Sequence, residues 1–312
     1  MADITVVIPA HNAEKTIHRT LSSIPSNVSV IAVIDGRSDE TSREVAAFPN
    51  ASIVVNELPL GAARARNIGL EKVTSEYVTF LDADDFVEDG LHSGMVAAFS
   101  SGADAVFTRW AVLKNDRFRE GASSNVVCNL IESKVELLCA WVGGQGCLTG
   151  SVAWKTTFLQ SIGGWAAVQK ADDYEIGIRT IIKGERFAFS HKGRLIYVDH
   201  SSPTRFSRVS VASSIEDQKR ILSQAEAFAE RCTESANKIF TAIGLRYYVL
   251  ALSCFQEGHT SLGRDMLAEA RKRGFHGHAG TRTARIISSI VGLENKVALA
   301  SITRQIGSSL SR

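Results

Sequence analysis

Residues 77–89 read Tyr-Val-Thr-Phe-Leu-Asp-Ala-Asp-Asp-Phe-Val-Glu-Asp. Tyr77 to Leu81 is a β-branched and aromatic run, long enough for one buried strand. It stops at Asp82-Ala83-Asp84-Asp85. Carboxylates this close at the carboxyl end of a buried strand repel one another and raise their own pKa values. A hard divalent cation relieves that cost, because Mg²⁺ or Mn²⁺ takes one or two carboxylates and completes its shell with substrate phosphates. In open α/β sheets ligands sit outside the carboxyl ends of the strands, where these acids fall. An acidic turn with Asp85 capping the next helix explains the same residues without a metal.

Outward from this stretch, strand patterns alternate with helix patterns. Ile4–Pro9 is a near-continuous apolar run, as for a strand covered on both faces. Ala13–Ser23 has helical spacing, Val28–Ile34 is a second strand ending at Asp35-Gly36, Thr41–Ala47 is a short helix and Ser52–Val55 a third strand. Gly61 opens a helix through Lys72, Leu91–Ser100 is helical and Ala105–Trp110 is another strand. This alternation predicts right-handed crossovers and a mostly parallel sheet flanked by helices. Beyond Trp110 the pattern loosens. A strand is expected at 126–131, helices at Ser133–Trp141, Phe158–Ile162 and Tyr174–Lys183, and two short strands at Arg186–Ser190 and Leu195–Asp199. From about Ser214 the chain turns to long helical segments, expected near 215–236, 238–257, 260–273, 281–291 and 293–308. The expected division is a catalytic α/β domain over 1–210, split at 110 into two halves, and a C-terminal helical region over 211–312.

The 312 residues suffice for a large core, and 45% hydrophobic with 22% charged residues is ordinary for a globular protein. A formal charge of +2 favours no nucleic-acid partner, and no basic-aromatic interleaving suggests one. Cys128, Cys139, Cys147, Cys232 and Cys254 are widely spaced with no CxxC pair, which argues against a zinc site or disulfide framework and for a reducing compartment. No charged-then-apolar leader pattern is visible, and no apolar stretch is expected to approach the ~20 residues of a spanning helix. A cytoplasmic location is expected.

Three strand ends converge polar groups on one edge of the sheet: Pro9-Ala10-His11-Asn12, then Asp35, then Asp82-Ala83-Asp84, with Arg64, Arg66 and Asn67 on the helix between the last two. Residues two apart do not share a helix face, so one of Arg64 and Arg66 is expected at the site, and Arg66 is preferred. An Asp at such an edge can accept from a nucleobase, a second can hold ribose hydroxyls and a third a diphosphate-bound metal.

This set resembles the family 2 glycosyltransferases, inverting nucleotide-sugar enzymes with the GT-A (Rossmann-like) fold. The likeness spans 4–110 and, more loosely, 145–210. It implies that Asp35 recognises the base, that Pro9, Ala10, His11 and Asn12 wall the nucleotide, and that Arg66, Asp82 and Ala83 lie along the nucleotide sugar with Asp82 by the ribose. It further implies Asp84 as metal ligand. The family's Asp-Asp-Gly-Ser-x-Asp is Ile34-Asp35-Gly36-Arg37-Ser38-Asp39 here, so its first Asp is missing; Asp39 reads as a helix cap. Ala171-Asp172-Asp173-Tyr174-Glu175 resembles the Glu-Asp-x-Glu segment, which makes Asp173 the catalytic base, with Asp172, standing where Glu is usual, as the other candidate. Both would equally serve as helix N-terminal carboxylates. His200 falls where some relatives carry a further metal ligand.

The implied activity is transfer of one sugar, metal-assisted and with inversion, from a nucleoside diphosphate sugar (UDP-linked) to a saccharide or lipid-linked saccharide hydroxyl in polysaccharide biosynthesis. Processive relatives carry spanning helices and Gln-x-x-Arg-Trp, and the latter does not occur here. Two other readings stand beside it. A sugar-phosphate nucleotidyltransferase would need a Gly-rich basic loop after the first strand, which Pro9–Asn12 is not; a non-catalytic nucleotide-sugar-binding scaffold is motivated by Ile34 and Asp172. The Gly143–Gly150 loop, with Trp141, Trp154 and Trp165 for sugar stacking, is expected to wall the acceptor. Arg271, Lys272, Arg273, Arg282, Arg285, Lys296, Arg304 and Arg312 against Glu294 make the tail basic and amphipathic. Such a tail could rest on the anionic inner face of a membrane or pack with a solvated basic face.

Overall fold

The structure is a computed structural model that describes residues 3–36, 39–168, 171–200 and 210–277, with Leu293, Glu294 and Val297. In chain order the elements begin β1 (Ile4–Ala10), α1 (Ile17–Ser22), β2 (Ser29–Asp35), α2 (Thr41–Ala46), β3 (Ala51–Asn56), α3 (Ala62–Lys72) and β4 (Tyr77–Phe80). There follow β5 (Phe86–Val87), α4 (Leu91–Ala98), β6 (Ala105–Lys114), β7 (Arg117–Glu120), α5 (Ala122–Leu130) and α6 (Lys134–Val142). Then come β8 (Val152–Lys155), α7 (Thr156–Ser161), α8 (Asp172–Lys183), β9 (Phe187–Val198), α9 (Ile215–Ala229), α10 (Ala236–Gln256) and α11 (Thr260–Lys272). The chain divides into two compact units, Met1–Trp141 with Gln145–Pro203 and Val142–Gly144 with Thr204–Arg312.

In the first unit the described residues form a nine-stranded sheet of order β3-β2-β1-β4-β8-β6-β9-β5, with β7 on β6. The half from β3 to β4 is parallel throughout, with Ala10 opposite Ile34 and Val7 opposite Phe80. β1 and β2 lie inside it, so their apolar side chains are buried on both faces, as a parallel strand between two layers requires. The other half is mixed: β8 runs antiparallel to β4 and β6, while β6 and β9 run parallel. The mostly parallel α/β sheet is therefore as expected, closed by strands that the residue pattern does not announce.

Several expectations are corrected. Residues 126–131 are not a strand but the end of α5, because Ser123, Ser124 and Val127 are the buried positions and that spacing belongs to a helix. The two short strands near 186–199 are one, β9, whose His191-Lys192-Gly193 interruption is a bulge: pairing passes from Thr108↔Ser190 to Arg109↔Arg194. β7 is the second arm of a hairpin whose turn residues Asn115 and Asp116 both have positive φ, 48° and 59°, the geometry of a tight hairpin turn.

In the second unit α10 packs against α9 and α11, burying Ile239, Ile243, Tyr247, Leu250, Ala251 and Cys254. This 21-residue helix is long and apolar enough, by length and composition, to cross a membrane, which corrects the expectation that no stretch comes near that length. Here half of it is covered by its neighbours. Two of the basic tail residues are also committed elsewhere. Arg273 pairs with Glu226 and Glu269 and stacks on Tyr247, and Lys272 pairs with Glu269 at 2.6 Å. The segments expected to be helical at 281–291 and 293–308 lie, apart from Leu293, Glu294 and Val297, outside the described residues.

Candidate active site

The acidic turn after β4 is built by local hydrogen bonds. The Asp85 amide donates to the Asp82 carbonyl at 3.1 Å, and the buried Thr20 hydroxyl lies 2.9 and 2.7 Å from the carbonyls of Ala83 and Asp85. Arg19 donates to the Asp84 carbonyl at 2.6 Å. The three carboxylates then leave in three directions. Asp85, 3% exposed, accepts the Val198 amide at 2.8 Å and fastens the end of β9. It does not cap α4, whose preceding residue is Gly90. Asp84 meets His200, with Oδ2 2.6 Å from Nε2. Asp82 accepts from Arg66 at 2.6 Å. Ala83 is turned into the apolar core, so its contribution is the turn itself.

Arg66 organises the other side. It is 4% exposed, its guanidinium lies 4.5 Å over the Trp165 ring, and it donates to Asp82 and to Asp172 at once. Burial works against its charge, but the two carboxylates outweigh burial and hold its pKa above the usual value. Burial pushes Asp82 up, and the Asp84 charge adds to that rise against the pull of Arg66. Asp173 is raised to about 7, by burial first and by the Asp172 charge second, while its own Tyr174 amide and Arg66 pull it down. The two acidic clusters, 82–85 and 172–173, are thus brought together through one guanidinium. Arg64 is exposed on α3.

α3 can place Arg66 there because it sits unusually close to the sheet. A Cβ on Gly69 would come within 2.3 Å of Val7 Cγ1 and 3.2 Å of Val33 Cγ2. Asn67, next to Arg66, exchanges two hydrogen bonds with the Trp165 backbone, at 2.9 and 2.8 Å. Arg179, paired with Glu175 at 2.6 Å, donates to the Ile162 carbonyl at 2.5 Å. These two straps fix the 162–165 segment, and neither was read from the sequence. The Glu175–Arg179 spacing of four on a helix was the available signal.

The residues expected on the nucleotide side fall at the ends of β1 and β2. Pro9 and Ala10 close β1, and His11 Nδ1 lies 2.5 Å from the Asp35 carbonyl. Asn12 has a positive φ of 51°. The Asp35 carboxylate is 4% exposed and accepts from the amides of Leu60 and Gly61, both at 2.8 Å, and from Asn56 at 3.0 Å. It therefore ties the β3–α3 loop to β2, leaving little of its accepting capacity for a base. Asp39 accepts from the Thr41 and Glu14 amides, and Arg37 and Ser38 lie outside the described residues. The three tryptophans expected to stack on sugar are core residues: Trp141, Trp154 and Trp165 are all buried, the last two against Phe80.

Asp84 and His200 are the residues here that could hold a divalent cation. Among the described residues no group of three or more His, Cys, Asp or Glu forms a cage. A two-donor site suits a cation that draws its remaining ligands from substrate phosphates.

The description Glycosyl transferase family 2 matches residues 5–191. The amylovoran biosynthesis glycosyltransferase AmsB of Erwinia amylovora is 39% identical over 97 residues, 27% of this chain and 32% of that protein. The UDP-Glc:alpha-D-GlcNAc-diphosphoundecaprenol beta-1,3-glucosyltransferase WfgD of Escherichia coli is 34% identical over 88 residues, 26% of this chain and 35% of its own. The match to the glycosyltransferase GlyA of Streptococcus pneumoniae, 33% identical over 92 residues, covers 27% of this chain and 13% of that one. The chain thus spans about a third or less of these curated relatives. Among solved structures, S. aureus TarS 1–349 in complex with UDP-GlcNAc superposes with a TM-score of 0.60 at 14% identity, over 90% of this chain and 95% of that one. The mannosyltransferase PcManGT from Pyrobaculum calidifontis, in complex with GDP-Man and Mn²⁺, gives 0.55 at 18% identity, over 96% and 86%. At such identities the likeness establishes the fold.

Proposed function

The chain belongs to glycosyl transferase family 2 and has a GT-A fold, and on that footing we propose that it moves one sugar, with inversion, from a UDP-sugar to a hydroxyl of a saccharide or lipid-linked saccharide. The observation that carries this reading is Arg66, which joins Asp82 of the first acidic cluster to Asp172 of the second. A donor lying along Asp82 would then have its anomeric carbon close to Asp173. UDP is preferred over other nucleotides because WfgD is named for UDP-Glc and TarS holds UDP-GlcNAc; the lipid-linked acceptor class likewise follows WfgD.

The residues divide the work by their surroundings. Asp173, raised to about 7, is poised to accept the acceptor hydroxyl's proton near neutral pH, where a general base works best. The acceptor oxygen forms the new bond to the anomeric carbon as the bond to the diphosphate breaks, and the proton passes to Asp173. Asp172 accepts a hydrogen bond from Arg66 and serves to position its neighbour. Pro9, Ala10, His11 and Asn12 wall the nucleotide, and Asp35 holds the 56–61 loop that completes that wall. Asp84 and His200 would hold Mn²⁺ or Mg²⁺, which supplies Lewis-acid stabilisation of charge gathering on the leaving diphosphate.

The test is transfer and nucleotide release by the intact chain with UDP-sugars and Mn²⁺. Asp173→Asn should lower transfer by roughly 100- to 10,000-fold, the usual contribution of a general base, with UDP binding retained. Binding of sugar nucleotides by the wild type without any release of UDP would overturn catalysis in favour of a binding scaffold.

A further inference from the structure

Trp141, near the end of α6, is pressed against α8. A Cβ on Gly177 would come within 2.1 Å of the indole Cε2 and 2.3 Å of Nε1. Gly146 is almost as close, with 2.6 Å to Cε2, and its carbonyl accepts from Ser123 Oγ at 2.6 Å. The ring is thus wedged between two stretches of backbone. Gly177 follows Asp173 by four residues, so both lie on one face of α8.

Despite this confinement the indole N–H has no acceptor: among the described residues Trp141 Nε1 is buried and takes no hydrogen bond. Trp154 shows the usual arrangement, donating to Thr180 Oγ1 at 2.9 Å. An unpaired buried donor carries the full desolvation penalty of that group, and native structures rarely tolerate one. Trp141 and Asp173 line one cavity of about 10 Å³, room for about one water. Thr149 lines it too, and its hydroxyl takes no hydrogen bond among the described residues. Asp173 Oδ1 accepts the Tyr174 amide at 2.8 Å, and no other hydrogen bond reaches that carboxylate among the described residues. The other polar groups on the wall are engaged, Thr180 by Trp154 and Cys147 with Ser151. A donor, an acceptor and a hydroxyl able to act as either therefore surround one water-sized space. That meets the two to four polar partners a buried water requires.

We propose that Trp141 and Thr149 are positioning residues for Asp173, acting through a single buried water that accepts from the indole N–H and donates to the carboxylate, with Thr149 completing its shell. The inference rests on the reading of Asp173 as the base for its catalytic consequence, but the water site does not depend on turnover. A carboxylate offers about four lone-pair positions. Asp173 can hold the Tyr174 amide and this water and still receive the acceptor's proton. A hydrogen bond from the water favours the charged form of Asp173. The other charged or titratable groups around it are Asp172 on α8, Arg66 on α3 and Asp82 after β4, with Cys147 on the cavity wall.

The experiment uses the intact chain. A high-resolution crystal structure of the wild type should show a water within hydrogen-bonding distance of Trp141 Nε1, Thr149 Oγ1 and the Asp173 carboxylate. The Asp173 carboxyl is then titrated by carbon NMR in wild type, Trp141→Phe and Thr149→Val. Each variant removes one hydrogen-bonding group, keeps most of the shape and leaves the neighbouring charges in place. Asp173 should titrate higher in each by about one unit or less. The acid limb of kcat/KM should move to higher pH with it, while KM for the donor stays unchanged. Loosened packing alone would instead admit solvent to the carboxylate and lower its pKa. A cavity without that water, or an Asp173 titration that stays put or falls in either folded variant, overturns the proposal. If Asp173→Asn leaves transfer unchanged, the base reading fails and takes the catalytic consequence with it, while density and titration still decide the water site.

Discussion

Asp173 is more costly to the fold ionised than protonated, and that sets two measurable signs. An unfolded Asp titrates near 3.9, whereas burial and the Asp172 charge raise Asp173 to about 7 in the folded chain. Between these values the native state binds a proton that the unfolded state does not, so stability falls as pH rises from about 4 through 7. Asp173→Asn imitates the protonated form. It should raise Tm at pH 8, and the gain should shrink towards zero as pH approaches 4; a variant no more stable than wild type at pH 8 would sink this account of the raised pKa. Arg66 acts with the opposite sign, since its charge pulls Asp173 down. Arg66→Gln should therefore move the acid limb of the kcat/KM profile to higher pH, and Arg66→Lys should restore much of the shift. A purely structural Arg66 would lower activity without moving the limb.

At the scale of elements, the position of α3 depends on Gly69. A methyl group there meets Val7, a stiff β-branched side chain in the sheet centre, at 2.3 Å. Gly69→Ala should cost about 1–3 kcal/mol by overpacking, seen as a lower denaturant midpoint, and should lift Arg66 and Asn67 away from their partners, lowering activity as well. Unchanged stability would mean that α3 has room to move. α8 carries a different strain, because Ala171 stands before it with φ 67°. How far these elements were legible follows from the range of the forces that make them. β1, β2, β4 and the start of β6 are continuous apolar runs and announce themselves, as does the α3 helix. β5, β7 and β8 are two to four residues long, and such strands are made by their neighbours in the sheet rather than by their own residues. Within the site, Asp35, Asp84 and Asp173 stood out because each ends a strand or opens a helix. The Arg66–Asp172 and Asn67–Trp165 contacts span 106 and 98 residues, and no local pattern encodes such a pairing.

For the first unit as a whole, the parallel half of the sheet carries the residues proposed to wall the nucleotide, Asp172 and Asp173 open α8, and the mixed half carries the end of β9. Arg66 and Asn67, both on α3, tie the first half to α8 and to the 162–165 segment. A ligand that engages Asp82 and Asp84 should therefore stabilise both halves together. UDP present at a hundred times its Kd would add roughly 2.7 kcal/mol to the native state by mass action, visible as a single cooperative rise in Tm. Because Asp84 and His200 are the proposed cation donors, the rise should be larger with Mn²⁺ than without it. Asp84→Ala and His200→Ala should each remove the metal increment while leaving a smaller UDP shift, since the proposed nucleotide wall at Pro9–Asn12 is untouched. A shift identical with and without Mn²⁺ in the wild type would show that these two residues form an ion pair rather than a cation site, because a ligand can stabilise the native state only by as much as it binds it.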